Sequence, residues 1–319
     1  MINEELIYLK KAFFKAGSLD VKVIKPGNVF MQSPGHGMLA KQFIESLEAI
    51  IPLLFDSHYT LGQKIEYSVN ASFEVAKCNT NLGIILLCAP IIEALLKVQR
   101  NNVKSEVNYA SNFESFLINL RRTLKNSSVE DTQAVFRAIK KANPGGLGEN
   151  EFADVRFETD RHLLEAMKLG AKKDFIAKQY ITFYEDIFNQ EIILSIRKNN
   201  LNKEKLIRGI SCKNDLDKFV QKIYFNWLIM FLDSHISRKF GENLAKAVNN
   251  EARNFLLDKK FIEVDSKIKN VNIREPSEKQ LLYWDYSLKM RKINPGTSAD
   301  LTVCTLFLAY VFMPDLGYF

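Results

Sequence analysis

Cysteine is scarce in this 319-residue chain. Four occur, at Cys78, Cys88, Cys212 and Cys304, and none belongs to a C-x-x-C pair. Neither a zinc site nor a disulfide framework is therefore expected, and a reducing, cytoplasmic setting is. Long basic runs are missing too. The net charge is +7, but Lys and Arg are interleaved with acids along the chain. That spacing argues against a nucleic-acid partner, while a modest positive excess suits a pocket for a polyphosphate. The apolar run Ile84–Ile92 falls short of the roughly 20 residues a bilayer span needs, and Pro90 and Glu93 interrupt it. No membrane association is expected, and the acidic start Met1-Ile2-Asn3-Glu4-Glu5 carries no signal-peptide core. Neither G-x-x-x-x-G-K-[ST] nor G-x-G-x-x-G occurs, which excludes P-loop and Rossmann sites. Strand-type alternation is almost absent.

Helical spacing of apolar residues fills the chain instead. It predicts helices over 4–16, 38–57, 61–77, 82–99 and from 113 to a break at Asn126-Ser127. Ser128 with Asp131 predicts a capped restart. One long helix or two consecutive ones are expected over 161–200, and others over 215–237, 242–257 and 276–291. A last apolar helix runs to Met313. The predicted fold class is all-α, with a single compact domain over 1–319.

Four polar junctions punctuate these helices. The first runs from Asp20 through Lys25-Pro26-Gly27-Asn28 to Ser33-Pro34-Gly35-His36-Gly37, and is read as a loop. Its Asp20, Lys25, Asn28 and His36 suit phosphate, metal or sugar hydroxyls. The second, Asn79-Thr80-Asn81-Leu82-Gly83, sits at the mouth of the core helix. Helix capping explains it as readily as a binding site does. The third, Asn143-Pro144-Gly145-Gly146-Leu147-Gly148, has three glycines in four residues, which let backbone amides turn towards a ligand; simple helix termination gives the same pattern. The fourth is Asn294-Pro295-Gly296-Thr297-Ser298-Ala299-Asp300. Here Thr297 or Ser298 is the expected N-cap, with Asp300 in the first turn. Asp174 and Lys178 are spaced as a helix ion pair, and His235 beside Asp233 and Arg238 reads as a solvated helix end.

Together these stretches resemble the CitG/MdcB family, the triphosphoribosyl-dephospho-coenzyme A synthases. The resemblance rests on Lys25-Pro26-Gly27-Asn28-Val29, Asn79 to Leu87, Asn143 to Gly148, Asp174-Phe175-Ile176-Ala177 with Gln179-Tyr180, and Asn294 to Leu301, in the family's order. It implies an all-α enzyme that joins ATP to the ribose 2′-hydroxyl of 3′-dephospho-coenzyme A and releases adenine. Substitution at an anomeric carbon needs a base for the attacking hydroxyl, a proton for the departing purine and cations for the triphosphate. The resemblance thus implies Asp20 and Asp300 as catalytic or Mg²⁺-binding carboxylates. Lys25 and Arg238 would meet phosphates, Asn79, Asn81 and Asn143 sugar or phosphate oxygens, and Gly145 and Gly146 a ligand's close approach. Asn28, His36, Gly83 and Asp174 complete the expected substrate set. The partners implied are ATP and a small-molecule acceptor, and a homodimer is allowed.

The chain departs from the citrate-lyase members, which resemble Pro-Gly-Leu-Val-Asp where it has Pro26-Gly27-Asn28-Val29-Phe30. Asp20 also stands where the family more often has Glu. These departures look like the branch outside citrate-lyase operons and leave the acceptor open. An N-ribosyl hydrolase and a non-catalytic nucleotide-binding scaffold remain as alternatives. Convergence of the junctions on one pocket would speak against a scaffold, because sequence-distant caps have no reason to meet.

Overall fold

The structure, a computed structural model, describes residues 4–101, 112–144, 160–197, 210, 212–256 and 275–318. Fifteen α-helices order these residues. They are α1 (Glu4–Lys22), α2 (Ala40–Leu54), α3 (Leu61–Ala76), α4 (Leu82–Asn101) and α5 (Phe113–Lys125). Next come α6 (Val129–Ala142), α7 (Leu163–Gly170), α8 (Phe175–Ile181), α9 (Glu185–Phe188) and α10 (Glu191–Arg197). The rest are α11 (Lys213–Met230), α12 (Ser234–Phe240), α13 (Glu242–Leu256), α14 (Glu278–Met290) and α15 (Gly296–Phe312). Among the described residues, extended pairing is limited to two isolated bridges, Phe30 with Ser33 and Gly35 with Met38. The all-α expectation holds.

α4 and α15 form the centre. From Thr297 to Phe312 every side chain of α15 except Asp300 is buried, and α4 is buried along Ile84–Ile92. A helix apolar on all faces has to lie inside, and these two pack on each other with α1, α5 and α11 around them. Edge-to-face rings lock the far end, with Phe113 and Phe116 against Phe312 and Phe188. Each buried Leu, Ile or Phe contributes roughly 1.5–3 kcal/mol of transfer free energy.

Pro90 inside α4 has no N–H to give the carbonyl of Leu86, four residues back. The Tyr180 hydroxyl takes that place, donating to Leu86 O at 2.6 Å, and Tyr184 donates to Leu87 O at 2.8 Å. Two buried tyrosines of the α8–α9 region thus repair the proline break and tie that region to the central helix. Burial pushes both phenols above their ordinary pKa, which keeps them neutral donors.

A second core gathers Tyr224, Phe225 and Leu228 of α11 with Val248 and Ala252 of α13 and Leu281, Trp284 and Leu288 of α14. It supports the segment 23–38 from behind. Tyr224 Oη donates to Pro26 O at 2.7 Å, Gln221 to Ile24 O at 3.1 Å, and Gly27 N to Asp285 Oδ1 at 2.8 Å. Ser33 Oγ and Lys289 Nζ reach the other Asp285 oxygen at 2.8 and 3.0 Å.

Several boundaries differ from expectation. α1 runs to Lys22, so Asp20 lies in its last turn rather than in a loop; Pro26 disfavours helix only at Lys25. The expected 161–200 helices are four short ones, α7 to α10. Asp174 caps α8, and Phe183 and Tyr184 take the left-handed conformation that breaks the chain again. The 215–237 helix stops at Met230, because Phe231 is extended and Asp233 starts α12. α15 begins at Gly296 behind Pro295, so Thr297 and Ser298 are inside it and Asp300 lies past its first turn. The 257–274 stretch lies outside the described residues, as do Gly145, Gly146 and Gly148. Among the described residues no helix is long and apolar enough to cross a membrane.

Candidate active site

Segments far apart in sequence meet around one cavity of about 160 Å³. The end of α1 brings Asp20, the following turn Asn28, and the mouth of α4 Asn79, Thr80 and Gly83. Pro144 arrives from the end of α6, Asp174 from the start of α8, and His235 and Arg238 from α12. Asn294, Gly296 and Asp300 complete the wall from α15, while Phe43, Leu86, Ile139, Met167 and Ile176 line its apolar side. Each of the four junctions contributes, which a set of unrelated caps would not do.

The acid pole is built by Asp20 and Asp300. Lys25 is completely buried, and its Nζ donates to the Asp20 carboxylate and, at 2.8 Å, to Asp20 O. Lys25 therefore stands behind the pocket as a counter-ion and does not line it. Asp300 has no such partner among the described residues. Its carboxylate lies directly over Gly83, where an added Cβ would come within 2.0 Å of Oδ2. Burial, then the neighbouring Asp20 and Asp233 carboxylates, pushes Asp300 well above the usual carboxylate pKa, opposed by Lys25 and Arg238. A carboxylate without a hydrogen-bonding partner beside two other carboxylates seeks a proton or a cation. Removing one partner of a buried pair leaves the other charge stranded. Lys25→Met is accordingly expected to lower unfolding stability at neutral pH by about 3–5 kcal/mol, read from urea denaturation.

Asp174 and Arg238 bring a basic pole to the same wall. Asp174 caps α8 through Oδ1, which accepts from Ile176 N and Ala177 N at 2.9 and 3.0 Å. Its other oxygen holds Arg238 Nη1. Lys178 pairs instead with Asp186 at 3.0 Å, so the expected Asp174–Lys178 pair does not form. Arg238 Nε is buried with no partner among the described residues, a donor left for a ligand. His235 is half-buried in the pocket wall rather than solvated. Burial first, then Arg238, Lys239 and His36, push its pKa down to about 3, so its imidazole is neutral at physiological pH.

Asp233 joins the two poles. It is 2% exposed; Oδ1 accepts from His235 N and Ile236 N, and Oδ2 from the Ser298 backbone and hydroxyl, both at 2.8 Å. One carboxylate thus caps α12 and serves the first turn of α15, fixing Arg238 relative to Asp300. Sequence reading missed this role because it ran α11 through Asp233. The Asp-Ser dipeptide after Leu232 was the available signal for an N-cap. Asn294, also missed, sits next to a proline at a helix start.

Other expected site residues stand elsewhere. Asn81 is buried outside the pocket; its Nδ2 donates to Ser46 Oγ at 3.0 Å and ties α4 to α2. Asn143 closes α6 in the left-handed conformation, and its neighbour Pro144 lines the pocket. His36 pairs Nε2 with Gly27 O at 2.8 Å and steadies the turn, with burial lowering its pKa. Asn79 reaches the Leu82 amide at 3.4 Å and also lines the pocket, so the capping and site readings hold together there. Among the described residues no group of three or more His, Cys, Asp or Glu converges as a metal site.

Residues 7–315 match the family of CitG, ATP:dephospho-CoA triphosphoribosyl transferase. No curated protein sequence gives a match. Among solved structures, the chain is similar to a protein of Archaeoglobus fulgidus assigned as a triphosphoribosyl-dephospho-coA synthase. The two are 17% identical, with a TM-score of 0.56, over 84% of this chain and 98% of that one. At that identity the likeness speaks for a shared fold.

Proposed function

This chain belongs to the CitG family of ATP:dephospho-CoA triphosphoribosyl transferases, and on that premise we propose how its pocket performs the transfer. The observation that carries the proposal is that a carboxylate pair, Asp20 and Asp300, and the half-buried Arg238 line one cavity. A polyphosphate sugar needs cations at one end and a proton acceptor near its anomeric carbon. This pocket offers both.

Arg238 takes the triphosphate of ATP. Its guanidinium is held by Asp174, and its Nε, without a partner among the described residues, would give a phosphate oxygen a charge-assisted hydrogen bond. The apolar wall of Leu86, Ile139, Met167 and Ile176 suits the flat purine. The acceptor hydroxyl approaches C1′ of the ATP ribose from the acid pole. As the new C–O bond forms and the bond to adenine breaks, Asp300 takes the hydroxyl proton and adenine departs with a proton from solvent. A raised pKa makes Asp300 a stronger base than a surface carboxylate.

The pair Asp20 and Asp300 also fits Mg²⁺, which usually binds one or two carboxylates and fills its shell with waters and phosphate oxygens. Bound there, the ion would neutralise charge on the triphosphate.

Arg238→Gln is expected to raise the KM for ATP by about 10–100-fold with a smaller effect on kcat, because charged hydrogen bonds are worth roughly 1.5–3 kcal/mol. Calorimetry on the wild-type protein tests the same reading: ATP should bind, and more tightly with Mg²⁺ present. Unchanged ATP affinity in Arg238→Gln would refute the phosphate role.

A further inference from the structure

We propose that Asn28 and Asn294 form a hydroxyl-binding subsite, and that the hydroxyl belongs to a ribose ring; this rests on the nucleotide reading of the pocket. Asn28 follows the Pro26-Gly27 turn, and Gly27, at φ +86°, packs against Pro295 and brings the two asparagines together. Asn28 is 6% exposed and lines the pocket beside Asp20 and Asn294. Its Nδ2 donates to Asn294 Oδ1 at 2.6 Å. Its backbone N–H is engaged by Lys25 O at 3.0 Å. Its Oδ1 is buried with no partner among the described residues.

Proteins seldom leave a buried amide atom unanswered, so one that belongs to a pocket wall calls for a partner. Turning both amides over exchanges donor for acceptor and still leaves one Asn28 atom over. The placement seen here calls for a donor, and a group that also accepts would answer either placement. A hydroxyl does; a phosphate oxygen only accepts. The neighbouring Asp20 carboxylate adds a second acceptor to the same corner, since Lys25 engages only one of its oxygens. Two acceptors in the wall of one pocket suit the two hydroxyls of a ribose. A purine edge, with a ring nitrogen beside its amino group, would set acceptor against acceptor.

Both substrates carry a ribose, so the test has two arms, each an equilibrium titration that requires no turnover. One compares ATP with 2′-deoxyATP and 3′-deoxyATP, the other dephospho-coenzyme A with coenzyme A, whose 3′ position bears a phosphate. Wild-type protein is expected to prefer the free hydroxyl by about 10–100-fold in one arm. The near-isosteric Asn28→Leu should erase that preference and leave binding of the hydroxyl-lacking analogue within about twofold. Asn28→Ala repeats the comparison if the leucine variant does not fold. The arm that responds identifies which ribose occupies the subsite. Equal wild-type affinities in both arms, no binding of any of these compounds, or a preference that survives both Asn28 variants would overturn the proposal. Failure of group transfer with this preference intact would sink the transfer reading and leave the subsite standing.

Discussion

Asp300→Asn is expected to lower kcat/KM by roughly 10²–10⁴ while raising the melting temperature at pH 8. The two effects share one cause. Partial burial, then the nearby Asp20 and Asp233, hold the folded-state pKa of Asp300 well above that of an unfolded aspartate. The folded protein therefore binds this proton more tightly than the unfolded chain does. Below the unfolded value the carboxyl is neutral in both states and the site is not penalised. As pH rises through the folded-state pKa the carboxylate ionises in place, and stability is lost. Asparagine keeps the shape without the charge, so the two proteins should melt alike in acid and diverge as pH rises. Activity runs the other way, because the base works ionised. A variant that keeps its activity, or that melts lower at pH 8, would contradict this assignment.

Gly83→Ala should leave the protein folded and reduce kcat by about 100-fold, the usual consequence of an ångström-scale misplacement of a reacting group. The new Cβ would stand 2.0 Å from Asp300 Oδ2 and 2.4 Å from Cγ. No backbone atom is threatened, so the clash is relieved by swinging the carboxylate away. Alanine is also the better helix former by about 1 kcal/mol, which offsets part of any strain. Circular dichroism close to wild type with kcat strongly reduced is the expected pair of readings. Wild-type kcat would show that Asp300 need not rest on the mouth of α4.

Local physics made some of this legible before any coordinates. Ser128 and Asp131 form the expected reciprocal cap, because both partners lie within one helical turn. The start of α4 at Leu82 was equally plain, since polar capping residues give way there to an apolar run. What sequence could not decide were contacts made across the fold. Asn79 and Asn81 are the same residue type two positions apart. Only the arrival of Ser46 from α2 turns Asn81 into a tie between helices and leaves Asn79 at the pocket. Likewise the start of α15 is served by Asp233, a residue 65 positions away, so Thr297 and Ser298 need not cap it themselves.

The most direct measurement incubates the purified protein with ATP and Mg²⁺, with and without dephospho-coenzyme A, and follows both adenine and the mass of the acceptor. Adenine should appear only with the acceptor present, matched by an acceptor heavier by one triphosphoribosyl group, and both signals should vanish in Asp300→Asn. Adenine released equally without the acceptor, or an unchanged acceptor mass beside released adenine, would contradict transfer at this pocket.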